Sequence, residues 1–199
     1  MSKIKRYPDV PAKFRLDGVR VAFPVLNEPE QFQGQGKARY SATFIIPGDD
    51  ADVIAKVKEI ALAVMVAEVG QAKAAALLNT MEANLKVPYG DGSKKAIYDG
   101  FDGNFFISCH SQTAPSLFDN SADPATGKAA VLQRPQNRIY AGCHCNPVIS
   151  FYYQKKWGRL CASFSGIQFA GDGDAFSGAA PASDDEFEAV EAASADDLA

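Results

Sequence analysis

Residues 148–169 read VISFYYQKKWGRLCASFSGIQF. Apolar and polar side chains alternate on both sides of a central KKWG, so the stretch is two strands joined by a tight turn. Val148–Gln154 is the outgoing strand, Lys155–Arg159 the turn, and Leu160–Phe169 the return. Tip and edge hold aromatic rings among Lys155, Lys156 and Arg159. Successive strand residues point to opposite faces, so Tyr152 and Tyr153 cannot both be surface residues. Rings interleaved with cations suit single-stranded nucleic acid, whose bases stack while its phosphates are neutralised.

Upstream, Arg138–Cys143 opens a strand that leads through Asn146-Pro147 into this hairpin. Three earlier strands follow the same logic. Val19, Val21 and Phe23 alternate with Arg20 and Ala22, with Pro24 placed to end or bulge the strand. Tyr40, Ala42, Phe44 and Ile46 share one face of Arg39–Ile46, and Phe105–Cys109 is a third apolar run. Residues 27–37 read as a polar loop and Ser111–Asn137 as a long irregular segment with a brief pairing near Ala130–Leu132. Asp49, Asp50 and Asp52 suit a helix start, Val53, Val57, Ile60 and Val64 form its stripe, and Gly70 ends it. A second, Ala-rich helix spans about Gln71 to Ala83. The fold class is therefore mainly β with a helical segment.

Charge divides the chain. Nine of its 24 acidic residues and none of its 20 basic ones fall in 171–199, so residues 1–170 hold 15 acids against 20 bases, a net of +5. Gly, Ala, Ser and Pro fill the rest of that arm, which is expected to stay disordered. The expected organisation is a basic arm at 1–13, a folded domain at 14–170 and an acidic tail at 171–199. No apolar run nears the roughly 20 residues of a membrane span, and the basic N-terminus has no apolar stretch behind it, so no membrane role and a cytoplasmic location are expected.

Enzymatic and metal chemistry find little support. Gly-Asp-Gly-Ser-Lys-Lys at 90–95 lacks the spacing of a phosphate loop. Cys143 and Cys145 would share one strand face with His144 on the other, which is not zinc spacing, so reduced, packed thiols are expected at Cys109, Cys143, Cys145 and Cys161. The acids of the body are scattered or lie at the helix start, which argues against a metal nuclease. No cofactor and no catalytic residue is expected.

The run LDGVRVAFPVL, RYSATFIIPGDD before a helix, PYGDGS, IYAG, GRLCASFSGIQFAGDGDAFSG and an acidic end resembles a family of bacteriophage single-stranded DNA-binding proteins over about residues 14–178. The resemblance implies an OB-fold-like five-stranded barrel with a helical insertion, binding single-stranded DNA without catalysis in phage replication, recombination or repair. It also implies an acidic tail that recruits replication proteins such as DNA polymerase or helicase. An OB-fold ordinarily has its helix after the third strand, whereas here the helices follow the second legible one. Either a strand is hidden or the helical segment is inserted.

Expected DNA contacts are the cations Arg15, Arg20, Lys37, Arg39, Arg138, Lys155, Lys156 and Arg159 with the rings Tyr152 and Trp157. Expected tail contacts are Phe176, Asp184, Asp185, Glu186, Phe187, Glu188, Glu191, Asp196 and Asp197. A homodimer is compatible with this reading. An all-β structural or scaffold protein of a virion is the alternative.

Overall fold

The computed structural model describes residues 2–32 and 35–176. Ten strands and two helices follow the chain as β1 (Lys3–Arg6), β2 (Lys13–Asp17), β3 (Val19–Phe32), β4 (Gln35–Ile46), α1 (Ala51–Val69), α2 (Gln71–Ala83), β5 (Tyr89–Asp91), β6 (Phe105–Ser111), β7 (Ser116–Ala122), β8 (Ala129–Val131), β9 (His144–Gln154) and β10 (Arg159–Gly171). They join one sheet in the order β5-β6-β4-β3-β9-β10-β7-β8, with β2 also pairing β9 and β1 pairing β2.

The five strands legible in the sequence, β3, β4, β6, β9 and β10, are the ones that curl round the core. Their order is that of an OB barrel, open where β6 and β10 face each other without a hydrogen-bonded ladder. The helices sit between the second and third strands of that ring, with only three-residue β5 added there, so the helical segment is an insertion.

Alternation explains the core. Val19 and Val21 of β3, Phe44 and Ile46 of β4, Ile107 and Cys109 of β6, Cys145, Ile149 and Phe151 of β9, and Phe164 and Phe169 of β10 are buried. Phe44 meets Phe164 across the barrel at 6.0 Å, and Phe14 meets Phe151 at 5.1 Å. Helix α1 adds Val53, Val57, Ile60, Ala61, Val64 and Met65, whose spacing of three and four residues puts them on one side.

Several local expectations change. Residues 3–6 are a strand paired with β2, and the Ser2 amide donates to the Asp50 carboxylate at 2.6 Å. Asp50 therefore holds the N-terminus and makes no side-chain cap on α1. The segment read as a polar loop at 27–37 extends β3 and β4 into a long hairpin, because its polar residues lie beyond the core. Ser111–Asn137 carries β7, which pairs β10 in parallel, while the brief pairing expected near Ala130–Leu132 is β8. Arg138–Cys143 is a turn, and the strand starts at His144.

Pro24 bulges β3 as anticipated. From Ala22 to Val25 β3 advances three residues while β4 advances two, from Thr43 to Ser41. Phe23 takes up the extra residue with φ of 50°.

Phe44→Ala removes a fully buried ring at the centre of the barrel. Denaturant unfolding followed by circular dichroism should show a loss of about 3–5 kcal/mol, the usual cost of such a cavity. A loss below about 1 kcal/mol would mean that the barrel interior is not packed through this ring.

Candidate nucleic-acid interface

The open seam of the barrel is where the strongest candidate site lies. On β9, Phe151 points inward, Tyr153 packs on the core, and Tyr152 turns outward with 42% of its surface exposed. Its register partner is Cys161 on β10, with Arg159 opposite Gln154 beside it. On the other bank, Ile107 and Cys109 point in, so Ser108 and His110 point out. They lie opposite Thr43 and Ser41 of β4, and the Thr43 and Ser108 hydroxyls are 3.1 Å apart. Arg39 continues the β4 row on the same face.

Residues 86–88 floor the seam. The Leu160 amide donates to the Lys86 carbonyl at 3.0 Å and the Ser108 amide to the Pro88 carbonyl at 2.7 Å. One short segment thus satisfies backbone groups of both banks, which holds the strands apart instead of letting them pair. Above it runs a groove of about 670 Å³, lined by Arg39, Ser108, His110, Gln112, Tyr152, Gln154, Arg159, Cys161 and Ser163 among others.

No acidic residue is among the described residues lining this groove. Neither Arg39 nor Arg159 makes an ion pair among the described residues, although Glu30 faces Arg39 across the β3–β4 ladder. Loss of hydration in the groove, then Arg39 and Arg159, push the His110 imidazole down to about 4. It is therefore neutral at pH 7. Burial is also the main reason the Tyr152 phenol is raised. Two guanidiniums, amide donors and an outward ring make a place for an anion that carries flat aromatic groups.

The hairpin tip adjoins the groove. Lys155–Trp157 is a single helical turn closed by left-handed Gly158. Trp157 is 62% exposed, the Lys156 ammonium lies 5.2 Å from its ring centre, and Lys155 pairs with Glu68 at 3.0 Å. Lys37 is exposed, two residues before Arg39 and on the same face by alternation.

Three cations expected at the site are engaged elsewhere. Arg15 is gripped by both Asp17 oxygens, at 2.6 and 3.0 Å. Arg138 pairs with Asp119 at 3.3 Å and lies 3.9 Å over Phe169. Arg20 donates to the Gly142 carbonyl at 2.8 Å and to the Asp174 carbonyl, and its guanidinium stacks 4.1 Å above Phe176. Arg20 thus clasps the base of the acidic segment. Tyr140 adds bonds to the Gly173 carbonyl at 2.9 Å and amide at 3.1 Å, and the Phe176 amide donates to Ala141. Of the expected tail residues, Phe176 belongs to this strap. Asp184, Asp185, Glu186, Phe187, Glu188, Glu191, Asp196 and Asp197 lie outside the described residues.

The thiols behave as packed side chains. Cys109, Cys143 and Cys145 are fully buried, Cys161 is half-buried at the groove wall, and burial raises all four. Cys143 and Cys145 are both buried and His144 between them is half-exposed, but Cys143 lies in the turn before β9, so the two do not share a strand face. His110 and Ser108 were missing from the expected contacts. Their signal is the same period of two in FFISCH that places Ile107 and Cys109 inside.

Comparison with known proteins agrees with this architecture. The solved single-stranded DNA-binding protein of bacteriophage Enc34, in complex with single-stranded DNA, superposes with a TM-score of 0.66 at 21% identity, over 82% of this chain and 89% of that one. A second solved structure of the Enc34 single-stranded DNA-binding protein gives 0.64 at 20% identity, over 92% and 98%. Protein p50 of Acyrthosiphon pisum secondary endosymbiont phage 1 is 34% identical over 188 residues, 94% of this chain and 98% of that protein. The family profile described as Enterobacter phage Enc34, ssDNA-binding protein, matches residues 12–199. The chain accordingly belongs to the Enc34 family of phage single-stranded DNA-binding proteins.

Proposed function

We propose that the chain binds single-stranded DNA along the β6–β10 groove, without catalysis and with little dependence on sequence. The observation that carries this is the acid-free groove at the seam, with Arg39 and Arg159 flanking the outward ring of Tyr152. Phosphates are neutralised by Arg39 and Arg159, with Lys37, Lys155 and Lys156 around them. A base stacks on Tyr152 and another on Trp157, and every base offers a π-face, so stacking is tolerant of sequence. The DNA-bound Enc34 relative supports the reading. In replication, recombination or repair such a protein would cover exposed strands.

The same proposal covers the tail. Asp184 to Asp197 carry seven carboxylates that attract the cations a phosphate chain would use. Tethered at high effective concentration, they compete with DNA for the groove. Once displaced, the acids with Phe187 are available to a basic, pocketed surface on a polymerase or helicase.

Filter binding to oligo-dT across salt concentrations tests the groove. With about four phosphates neutralised, log affinity should fall with log salt at a slope near −3. Arg39→Ala with Arg159→Ala should weaken binding by tenfold or more and flatten that slope by about 1.4. An unchanged slope would place the phosphates elsewhere. Trp157 is the single tryptophan, and its emission should be quenched by saturating oligo-dT; unchanged emission removes it from the site.

Acid should tighten binding. His110 titrates near 4 in the unbound groove, and a phosphate beside it favours the imidazolium, so its value rises on binding. Binding then takes up a proton, and affinity grows as pH falls from 7 towards 4. In protein lacking Ser183–Ala199, whose carboxylates also titrate in this range, His110→Gln should abolish this trend. A wild-type affinity that is flat over that range would show that no phosphate lies near His110.

Deletion of Ser183–Ala199 removes seven of the nine tail acids while keeping the strap at 172–176. DNA binding should tighten at low salt, with the gain shrinking as salt rises, and the melting temperature should hardly move. Equal affinities at low salt would show that the tail does not reach the groove.

A further inference from the structure

The bulge in β3 exposes an aromatic residue that strand alternation would bury. Val21 points inward and Ala22 outward, so Phe23 should point inward. The extra residue and its positive φ instead throw the ring onto the outer face, where 51% of it is exposed. A left-handed backbone is unfavourable for a bulky residue, and bulges of this kind re-aim side chains.

Its neighbours are rings. The loop between β5 and β6 folds over the outer face and brings Tyr98 to 5.2 Å from Phe23 with the planes at 86°, and Phe101 to 5.9 Å. Tyr98 is itself 44% exposed. Two nearly perpendicular exposed rings leave a corner in which a flat group stacks on one and meets the edge of the other. Lys95 lies 4.2 Å from the Phe106 ring centre at the margin of the cluster. Asp99 and Asp102 in the same loop offset the local positive charge, so the corner suits a base better than a phosphate.

The corner and the groove are separated by one strand. Half-buried Ser41 and buried Thr43 of β4 lie between β3 and the Ser108–His110 row of β6 on the same outer face. Two strand spacings, about 10 Å, separate Phe23 from that row. We infer that Phe23 and Tyr98 form a second, base-stacking subsite, into which a single strand lying in the groove continues across β4. The inference rests on the groove being the primary DNA site. Phe176, held by Arg20 next to Phe101, marks the far limit of the track.

The test uses the full-length protein with Phe23→Ala and Tyr98→Ala together, and oligo-dT of about 5 and about 16 nucleotides, the range covered by one OB fold. Affinity for the long oligonucleotide should fall by fivefold or more per ring, and affinity for the short one should stay within twofold. Tyr98→Trp alone, which keeps a stacking face, should leave the long-oligonucleotide affinity within twofold of wild type. Abasic nucleotides at one end of the long oligonucleotide should weaken wild type and leave the double variant unaffected. Equal losses for both lengths, or no loss for the long one, overturn the subsite. Loss of self-association in sedimentation with intact DNA binding also overturns it, in favour of a protein-docking patch. Failure of the groove is read separately, as an Arg39→Ala/Arg159→Ala protein that binds the short oligonucleotide like wild type.

Discussion

Everything proposed for this chain depends on β6 and β10 not pairing. Had they formed a ladder, the barrel would be closed and the outward side chains of both strands would form a flat surface. Lys86 and Pro88 instead offer carbonyls to Leu160 and Ser108, one to each bank. The backbone at the seam is satisfied without bringing the strands together. The separation leaves a trough of about 670 Å³, with side chains from four strands facing into it. The same segment follows α2 directly, so the inserted helices fix the floor of the groove as well as the end of the barrel.

The second constraint is where the positive charge goes. A net of +5 over residues 1–170 is modest, and a good part of it is used internally. Arg15, Arg20 and Arg138 each have oxygen partners near 3 Å. Arg39, Arg159, Lys37 and Lys156 make no ion pair among the described residues and line or border the groove, whereas Lys155 pairs with Glu68. His110, held neutral at pH 7 by loss of hydration and by Arg39 and Arg159, adds no charge to the groove.

This division explains what the sequence revealed. The five ring strands were legible because each buries one face, which imposes a period of two. β8 was legible only as a brief pairing, and β7 and the outer part of the β3–β4 hairpin were not legible, since β7 buries only Leu117 and the end of the hairpin carries polar residues. That Arg39, Tyr152 and Arg159 face outward was legible because alternation alone places them outside. The engagement of Arg20 was not, because its partner, Asp174, is 154 residues away, and no local pattern announces such a pairing. Phe23 was assigned to a buried face because a bulge reverses alternation, and Pro24 marked the bulge without giving its direction.

Hydrogen exchange of the full-length protein with and without saturating oligo-dT tests the seam most directly. The account predicts slowed exchange in 86–88, β6 and β10, with β7, β8 and the β1–β2 pair unchanged. Protection centred on β7–β8 or on β1–β2, with the seam unaffected, would contradict it.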